Sequence, residues 1–213
     1  TGLSYTVNYL EKDTNNVINP AKTVDGVTFE DTIDSSKEII AIDGYNYDSV
    51  DKDILTIGTG DNIINIYYTK KNDLSYKVNY LEKTTNKVLH DQKVVENMTF
   101  DAEVSSSKEV INIDGYNYDS VDKTTLKITT GENVINIYYT KRTDLSYKVN
   151  YLEKDTNKVL HNQKVVENMT FEDTVTLSKE VINIDGYNYD SVDKTTLKIT
   201  TGENVINIYY TKK

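Results

Sequence analysis

The chain has 213 residues, a net charge of -10 and no cysteine. The negative net charge argues against nucleic acid and against an anionic membrane as partners, because binding to phosphates needs a basic patch. Without cysteine there are no disulfides and no thiolate chemistry. No stretch approaches the roughly 18 apolar residues of a membrane span.

A long repeat organises the sequence. The tripeptide Leu3-Ser4-Tyr5 recurs at Leu74 and at Leu145, which gives a period of 71 residues. The second and third copies are nearly the same, because residues 107–141 are reproduced without a change at 178–212. We therefore predict three tandem domains, at residues 1–72, 73–143 and 144–213. Catalysis rarely needs adjacent copies, whereas reach or avidity does.

The first copy contains the following predicted elements in chain order. Alternation of apolar and polar residues predicts a strand over 4–11, and a turn at 13–16 leads to a returning strand over 17–24. Pro20 places that strand at an edge or a bulge. Thr28 followed by acidic residues predicts a short helix, with Phe29 and Ile33 on one face. Three further strands are predicted over 45–48, 55–57 and 63–70, the last two joined by a hairpin loop at 58–62.

This order favours an α+β fold, dominated by strands, in which one sheet face is covered by the helix. The β-grasp (ubiquitin-like) arrangement fits it best, with the last strand beside the first at the centre of the sheet. An immunoglobulin-like sandwich is the alternative, but 71 residues are few for that fold, which typically needs about 100.

Three segments of each copy carry a resemblance to a known family. They are Tyr5-Thr6-Val7-Asn8-Tyr9, Ile42-Asp43-Gly44-Tyr45 and Ile64-Asn65-Ile66-Tyr67-Tyr68. They resemble the MucBP (mucin-binding protein) repeats of Gram-positive surface proteins. The resemblance implies tandem β-grasp domains in secreted, cell-wall-anchored proteins, with a role in adhesion to mucus or host glycans, or in extending a binding head. No signal peptide or sorting motif is present, so we expect a fragment of a longer chain.

The junctions between copies contain neither glycine nor proline. The last strand of one copy therefore leads almost directly into the first strand of the next, and copies should stack end to end. A strand of nine residues spans about 30 Å, so three copies predict a rod on the order of 100 Å. Leu74 and Leu145 pack either at the junctions or in the core of their own copy.

The β-grasp order predicts one candidate binding surface in each copy. It places three asparagines side by side on the open sheet face, next to a tyrosine that could stack on a sugar. The alternative is a solvated face with cross-strand amide pairs. The predicted ligand-binding residues are Asn8, Asn46, Asn65 and Tyr67, then Asn79, Asn117, Asn136 and Tyr138, and finally Asn150, Asn188, Asn207 and Tyr209.

Other chemistry finds little support. His90 and His161 occupy one repeat position that is Asn19 in the first copy, which favours exposed strand residues over ligands. Carboxylates at Asp43, Asp48, Asp51 and Asp53 surround a Gly-Tyr turn, where solvated turn residues are favoured over a weak calcium site. We predict no catalytic residue, no metal and no cofactor.

These observations favour a non-catalytic, monomeric segment of a bacterial adhesin. We expect an elongated spacer that can also adhere to host mucin. The alternative is a lectin-like glycan-binding module that acts by avidity.

Overall fold

The computed structural model describes residues 2–213, which fold into three similar sheet units, one for each copy. By their contacts the residues group into two compact units. The first consists of residues 2–78, Gln92–Lys108 and Lys123–Ile135, and the second of Asn79–Asp91, Glu109–Asp122 and Asn136–Lys213. No helix among residues 2–213 is long and apolar enough to cross a membrane.

The first copy contains six strands and one 3₁₀ helix. The strands are β1 (Leu3–Glu11), β2 (Val17–Val27), β3 (Thr32–Asp34), β4 (Tyr45–Val50), β5 (Ile54–Thr56) and β6 (Ile63–Lys70), and the 3₁₀ helix is Ser35–Glu38.

The other two copies repeat this order. The second contains β7 (Leu74–Glu82), β8 (Val88–Met98), β9 (Glu103–Ser105), a 3₁₀ helix (Ser106–Glu109), β10 (Tyr116–Val121), β11 (Thr125–Lys127) and β12 (Val134–Lys141). The third contains β13 (Leu145–Glu153), β14 (Val159–Met169), β15 (Thr174–Thr176), a 3₁₀ helix (Leu177–Glu180), β16 (Tyr187–Val192), β17 (Thr196–Lys198) and β18 (Val205–Lys212).

Each copy has a mixed four-stranded sheet, which in the first runs β2-β1-β6-β4. The last strand, β6, lies parallel to β1 and antiparallel to β4, so the predicted pairing of last strand with first is present. Strands β3 and β5 pair with each other in a separate two-stranded sheet. Residues 55–57 were expected to form a hairpin with 63–70, and this was wrong, because loop 58–62 instead connects the two sheets.

Alternation along the two central strands builds the core. Tyr5, Val7 and Tyr9 of β1 face inward, and Ile64, Ile66 and Tyr68 of β6 lie beside them. Apolar side chains at every second residue bury one face of each strand. The same pattern recurs in the third copy, where Leu145 belongs to the core of its own copy. Of the two expected positions, at a junction or in the core of its own copy, Leu145 therefore takes the second.

The predicted short helix after Thr28 is wrong. The segment forms a tight turn, in which Glu30 adopts a left-handed φ of 68° that ends any helical run. The Asp31 carboxylate accepts the Thr28 backbone N–H at 2.8 Å. Asp31 and Glu30 are also tied to Ile57 by backbone hydrogen bonds of 2.8 Å. Ile33 then lies in β3, so it does not share a helical face with Phe29.

Pro20 lies where sequence predicted, in the edge strand β2. The register between β1 and β2 shifts between the pairs Val7–Lys22 and Tyr9–Asn19, so Pro20 sits at an irregularity of the ladder. A residue without a backbone N–H is tolerated there.

Candidate functional site

Two of the three predicted asparagines of each copy do meet. Asn8 donates its side-chain amide to Asn65 at 2.9 Å, and the two are paired across the parallel strands β1 and β6. Asn79 with Asn136, and Asn150 with Asn207, repeat this bond at 2.9 Å. The side chain of Asn65 also donates to Asp51 at 3.0 Å. These amides therefore bond mainly to one another and to a carboxylate.

The third predicted asparagine of each copy does not lie beside the other two. Asn46 pairs with Thr69 across β4 and β6, and a register shift between Tyr47 and Ser49 separates it from Asn65. Asn188 likewise pairs with Thr211, and Asn117 with Thr140. The predicted row of three amides is thus two amides followed by an aspartate. The bulge could not be predicted from alternation alone.

The predicted tyrosines of the surface lie beside these pairs. Tyr67 is half-buried in β6, opposite Leu10 and Ser49. Tyr138 and Tyr209 hold the same half-buried position in their copies. A different tyrosine is the exposed one, namely Tyr47, and its ring packs edge-on against buried Tyr68 with centroids 6.2 Å apart.

The two histidines and the acidic cluster are engaged in local contacts. The rings of His90 and His161 each pack edge-on against a buried tyrosine with centroids 5.4 Å apart. Asp48 pairs with Lys12 at 2.9 Å, and hydrogen bonds from Ser49 and Lys12 hold the pKa of its carboxyl below the usual value. Across residues 2–213 no group of three His, Asp or Glu side chains is placed to hold a metal ion.

An ion pair between the buried Glu38 and the exposed Lys22 ties the 3₁₀ helix of the first copy to the sheet. Glu38 accepts from the Tyr5 hydroxyl at 2.7 Å and from Lys22 at 2.5 Å. Burial acts to raise the pKa of Glu38, but the hydrogen bonds from Lys22 and Tyr5 lower it overall. Burial and the same hydrogen bond raise the pKa of Tyr5 to about 12. The cluster stabilises the fold, and it recurs in the third copy around Glu180.

The least expected feature is a joint in which a phenylalanine of one copy covers a glycine of the preceding copy. A Cβ atom added to Gly44 would lie only 2.4 Å from Cδ1 and Cε1 of Phe100. The ring also packs edge-on against Tyr45, with centroids 5.6 Å apart. Gly44 has a φ of +80°, so both the space and the backbone conformation require glycine.

Polar contacts surround this ring. The Phe100 backbone N–H donates to the Lys71 carbonyl at 2.8 Å, and Lys71 donates to the Gly44 carbonyl at 2.9 Å. Thr130 donates its hydroxyl to Asp43 at 2.6 Å. Asp101 lies 3.7 Å from the Lys70 ammonium. Hydrogen-bonded backbone, an aromatic contact and charges thus join the two copies in one small patch.

The next junction repeats every one of these contacts 71 residues further on. Phe171 covers Gly115, and its ring centroid is 5.5 Å from that of Tyr116. The Phe171 N–H donates to the Arg142 carbonyl at 2.9 Å. The remaining equivalents are Thr201 with Asp114 at 2.7 Å and Lys141 with Glu172 at 3.2 Å.

The sequence predicted Phe29 on a helix face and made no prediction for Phe100 or Phe171, so the joint was not predicted. One signal was available. The chain has only three phenylalanines, one in each copy, and each is followed directly by an acidic residue. Phe171 packs against the core of its own copy and also covers Gly115. Its partner glycine was recognised only as a turn residue.

No known protein family and no curated protein matches this chain by sequence. Among solved structures it is similar to Streptococcal High Identity Repeats in Tandem (SHIRT) domains 3-4 from a cell surface protein, with 14% identity over 65% of this chain and 98% of that one, and a TM-score of 0.26. Mub-RV gives 12% identity, 66% and 99% coverage and a TM-score of 0.25.

A third structure is the type 2 repeat of the mucus binding protein MUB from Lactobacillus reuteri. It has 12% identity, 99% coverage of both chains and a TM-score of 0.24. These structural neighbours are repeats of Mub proteins and of a streptococcal cell surface protein.

Proposed function

We propose that this chain is a non-catalytic spacer segment of a secreted bacterial surface protein. In this proposal residues 1–72, 73–143 and 144–213 are β-grasp-like domains that follow one another end to end as a rod. The spacer holds another part of the protein away from the cell wall. The phenylalanine joints keep neighbouring domains from swinging freely.

The repeated joint is the observation that carries this proposal. A flexible linker needs no specific contact between its neighbours. Here both junctions have a phenylalanine ring over a glycine and the same backbone hydrogen bonds at equivalent positions of the repeat. The ring lies directly on the glycine backbone, where a Cβ atom would exclude it. A small displacement of one domain against the next would therefore break the contact. Such a joint favours one orientation of adjacent domains.

Small-angle X-ray scattering of the chain tests the spacer role. We expect a maximum dimension on the order of 100 Å, set by strands of about 30 Å per domain, with little spread. The double variant Phe100→Ala, Phe171→Ala should give a broader and shorter distance distribution. Phe29→Ala is the matched control, because this ring covers no glycine within residues 2–213, and it should change nothing. A compact profile of the wild-type chain, or a double variant whose profile is the same as that of the wild type, refutes the proposal.

Adhesion to mucin or other host glycans is a second candidate, supported by the exposed tyrosines. Tyr47, Tyr118 and Tyr189 are 46%, 49% and 49% exposed. Each is held edge-on by a buried tyrosine with centroids 6.2 or 6.3 Å apart, which leaves a ring surface toward solvent. In the first copy Tyr47 borders a cleft of ≈ 660 Å³ that Ile40 and Lys71 also line. A fixed aromatic surface of this kind suits sugar stacking.

Retention of variants on immobilised mucin distinguishes binding through the exposed tyrosines from binding through the asparagine pairs. If the exposed tyrosines bind, replacing all three with alanine abolishes retention, whereas Asn8→Ser, Asn79→Ser and Asn150→Ser together leave it intact. If the asparagine variant is not retained and the tyrosine variant is, the asparagine pairs form the binding site. A chain that is not retained at all acts as a spacer only.

A further inference from the structure

Tension along the chain passes through each copy by way of two neighbouring strands. In the middle copy, residues 71–73 lead into β7 and residues 142–144 lead out of β12, and these two strands are neighbours in the sheet. In the first copy the equivalent strands, β1 and β6, are parallel and form six consecutive residue pairs that begin at Thr6 and Ile63. The third copy has six such pairs between β13 and β18. Because the strands are parallel, tension slides one past the other in opposite directions.

Sliding loads all the backbone hydrogen bonds of this ladder at once. A hydrogen bond is lost when it lengthens by on the order of 1 Å, so the work that breaks the ladder must be done over that short distance. Peeling the same strands apart from one end instead breaks one pair at a time, and each broken pair lets the attachment points separate by about 6–7 Å. Because work is force multiplied by distance, sliding needs a several-fold larger force than peeling.

Side chains fasten the ladder at its start, its centre and its end. In the first copy, three such contacts join the half of the sheet that contains β1 to the half that contains β6. They are Asn62 with the Ser4 carbonyl at 3.1 Å, Asn8 with Asn65 at 2.9 Å, and Lys12 with Asp48 at 2.9 Å. The Lys12 backbone N–H also donates to the Tyr68 carbonyl at 2.9 Å, directly after β1 ends.

The same three contacts recur in the other two copies. In the second they are Asn133 with Ser75 at 3.0 Å, Asn79 with Asn136 at 2.9 Å, and Lys83 with Asp119 at 2.7 Å. In the third they are Asn204 with Ser146 at 3.0 Å, Asn150 with Asn207 at 2.9 Å, and Lys154 with Asp190 at 2.9 Å. The first copy differs from the others at many positions but retains the residue types of all three contacts. The fastened strand pair is therefore a common feature of the three copies.

We propose that each copy is a tension-resisting unit, in which the parallel pair of entry and exit strands keeps the domain folded under a pull along the chain. This inference rests on the proposed spacer function, because a spacer carries tension when it is held at both ends. It goes beyond that function by assigning a mechanical role to the asparagine pairs. Their hydrogen bonds to each other across the loaded strands favour this role over ligand binding.

Two directions of pull on the first copy test the proposal in the full chain by single-molecule force spectroscopy. The chain has no cysteine, so two introduced cysteines fix the attachment points. The pair Ser4→Cys and Asn72→Cys slides β1 past β6, whereas Ser4→Cys with Asp61→Cys peels the two strands apart from their common end. All three side chains are exposed. The second and third copies carry no load in either attachment.

We expect a several-fold higher rupture force in the sliding attachment than in the peeling attachment at the same loading rate. In both cases the length released, about 180–220 Å, identifies the unfolding of the first copy. Thermal melts of the two double variants verify that both are folded alike before loading. Equal rupture forces, or a higher force in the peeling attachment, overturn the proposal.

Lifetimes at constant force in the sliding attachment test the asparagine pair. Asn8→Ala removes one hydrogen bond from the loaded strands, and it should shorten the lifetime of the first copy about 2- to 12-fold. Asn79→Ala is the matched control, because it removes the same bond from the second copy, which carries no load, and it should change nothing. Equal lifetimes in the two variants overturn the mechanical role of the asparagines.

Failure of this proposal is distinguishable from failure of the spacer function. Small-angle scattering of the wild-type chain and of the Phe100→Ala, Phe171→Ala variant reports the joints and does not depend on how the strands resist force. Equal rupture forces together with an extended wild-type profile refute the resistance to tension and leave the spacer intact. A several-fold difference between the two directions supports the tension-resisting unit.

Discussion

Replacing the glycine beneath the ring, Gly115→Ala, tests the joint in its most specific form. The matched control is Gly186→Ala, which lies in a stretch of identical sequence. Both positions have a left-handed φ, +79° and +77°. Only Gly115 is covered, and there a Cβ would lie 2.4 Å from three atoms of the Phe171 ring. The difference between the two variants therefore reports the ring contact, because the backbone strain is common to both.

The expected magnitude comes from two contributions. Alanine in the left-handed region costs about 1–2 kcal/mol in either variant, and this part cancels. Displacing Phe171 removes an aromatic pair worth about 0.5–1.5 kcal/mol and part of the roughly 1.5–3 kcal/mol that full burial of the side chain provides. We therefore expect Gly115→Ala to lose about 1–2 kcal/mol more than its control, which is a factor of about 5–30 in the opening equilibrium.

Hydrogen exchange at the Phe171 amide measures this opening. Its N–H donates to the Arg142 carbonyl across the joint, so exchange requires the joint to open locally. Gly115→Ala should accelerate exchange at Phe171 by about that factor of 5–30, while Gly186→Ala leaves it unchanged. Core amides such as Val149 serve as an internal reference. Equal exchange at Phe171 in both variants would refute the reasoning.

Three further predictions follow from buried groups. Because the pKa of Tyr147 in the folded chain is raised to about 12, above the unfolded value of about 10, its contribution of about 2–3 kcal/mol is complete below pH 10 and declines as pH rises to 12. Tyr147→Phe should flatten that part of a pH series of thermal melts, and an unchanged slope would contradict the assignment. Burial alone would raise the pKa of Glu180, but Lys164 and Tyr147 lower it overall, so its contribution is present above about pH 4.3 and is lost as pH falls through the folded pKa. Glu180→Gln should remove this acid dependence, which a melt series between pH 2 and 6 measures. Buried Asn62 bonds to Gly58 at 2.8 and 3.0 Å and to the Ser4 carbonyl at 3.1 Å, so Asn62→Ala should cost about 1–3 kcal/mol in denaturant unfolding, and a loss below 0.5 kcal/mol would contradict this.

Much of the sheet could be predicted because alternation is a local signal. Tyr5, Val7 and Tyr9 are buried as the pattern indicates, and Ile64 and Ile66 lie beside them. The predicted helix does not form, and the reason is a local backbone conformation that the residue types do not reveal. Thr28 and its acidic neighbours resemble a helix start, but Glu30 takes a left-handed φ and the Asp31 carboxylate satisfies the Thr28 N–H.

The candidate surface could be predicted only in part. Pairing of Asn8 with Asn65 follows from strand order, which the sequence suggested. The position of Asn46 depends on a register shift near Ser49. Such a shift changes which residues lie opposite one another and leaves no mark in the sequence pattern. The joint could not be predicted from the sequence, because Phe100 and Gly44 are 56 positions apart and only the folded junction brings them together.

Nitrogen-15 relaxation of the intact chain measures the central claim, that the joints hold adjacent domains in one orientation. If Phe100 and Phe171 fix their junctions, amides of neighbouring domains share one set of anisotropic tumbling parameters in the wild-type chain. The Phe100→Ala, Phe171→Ala variant should then separate into faster, independent correlation times. Domains that already tumble independently in the wild-type chain, or a variant that tumbles as the wild type does, would contradict the account.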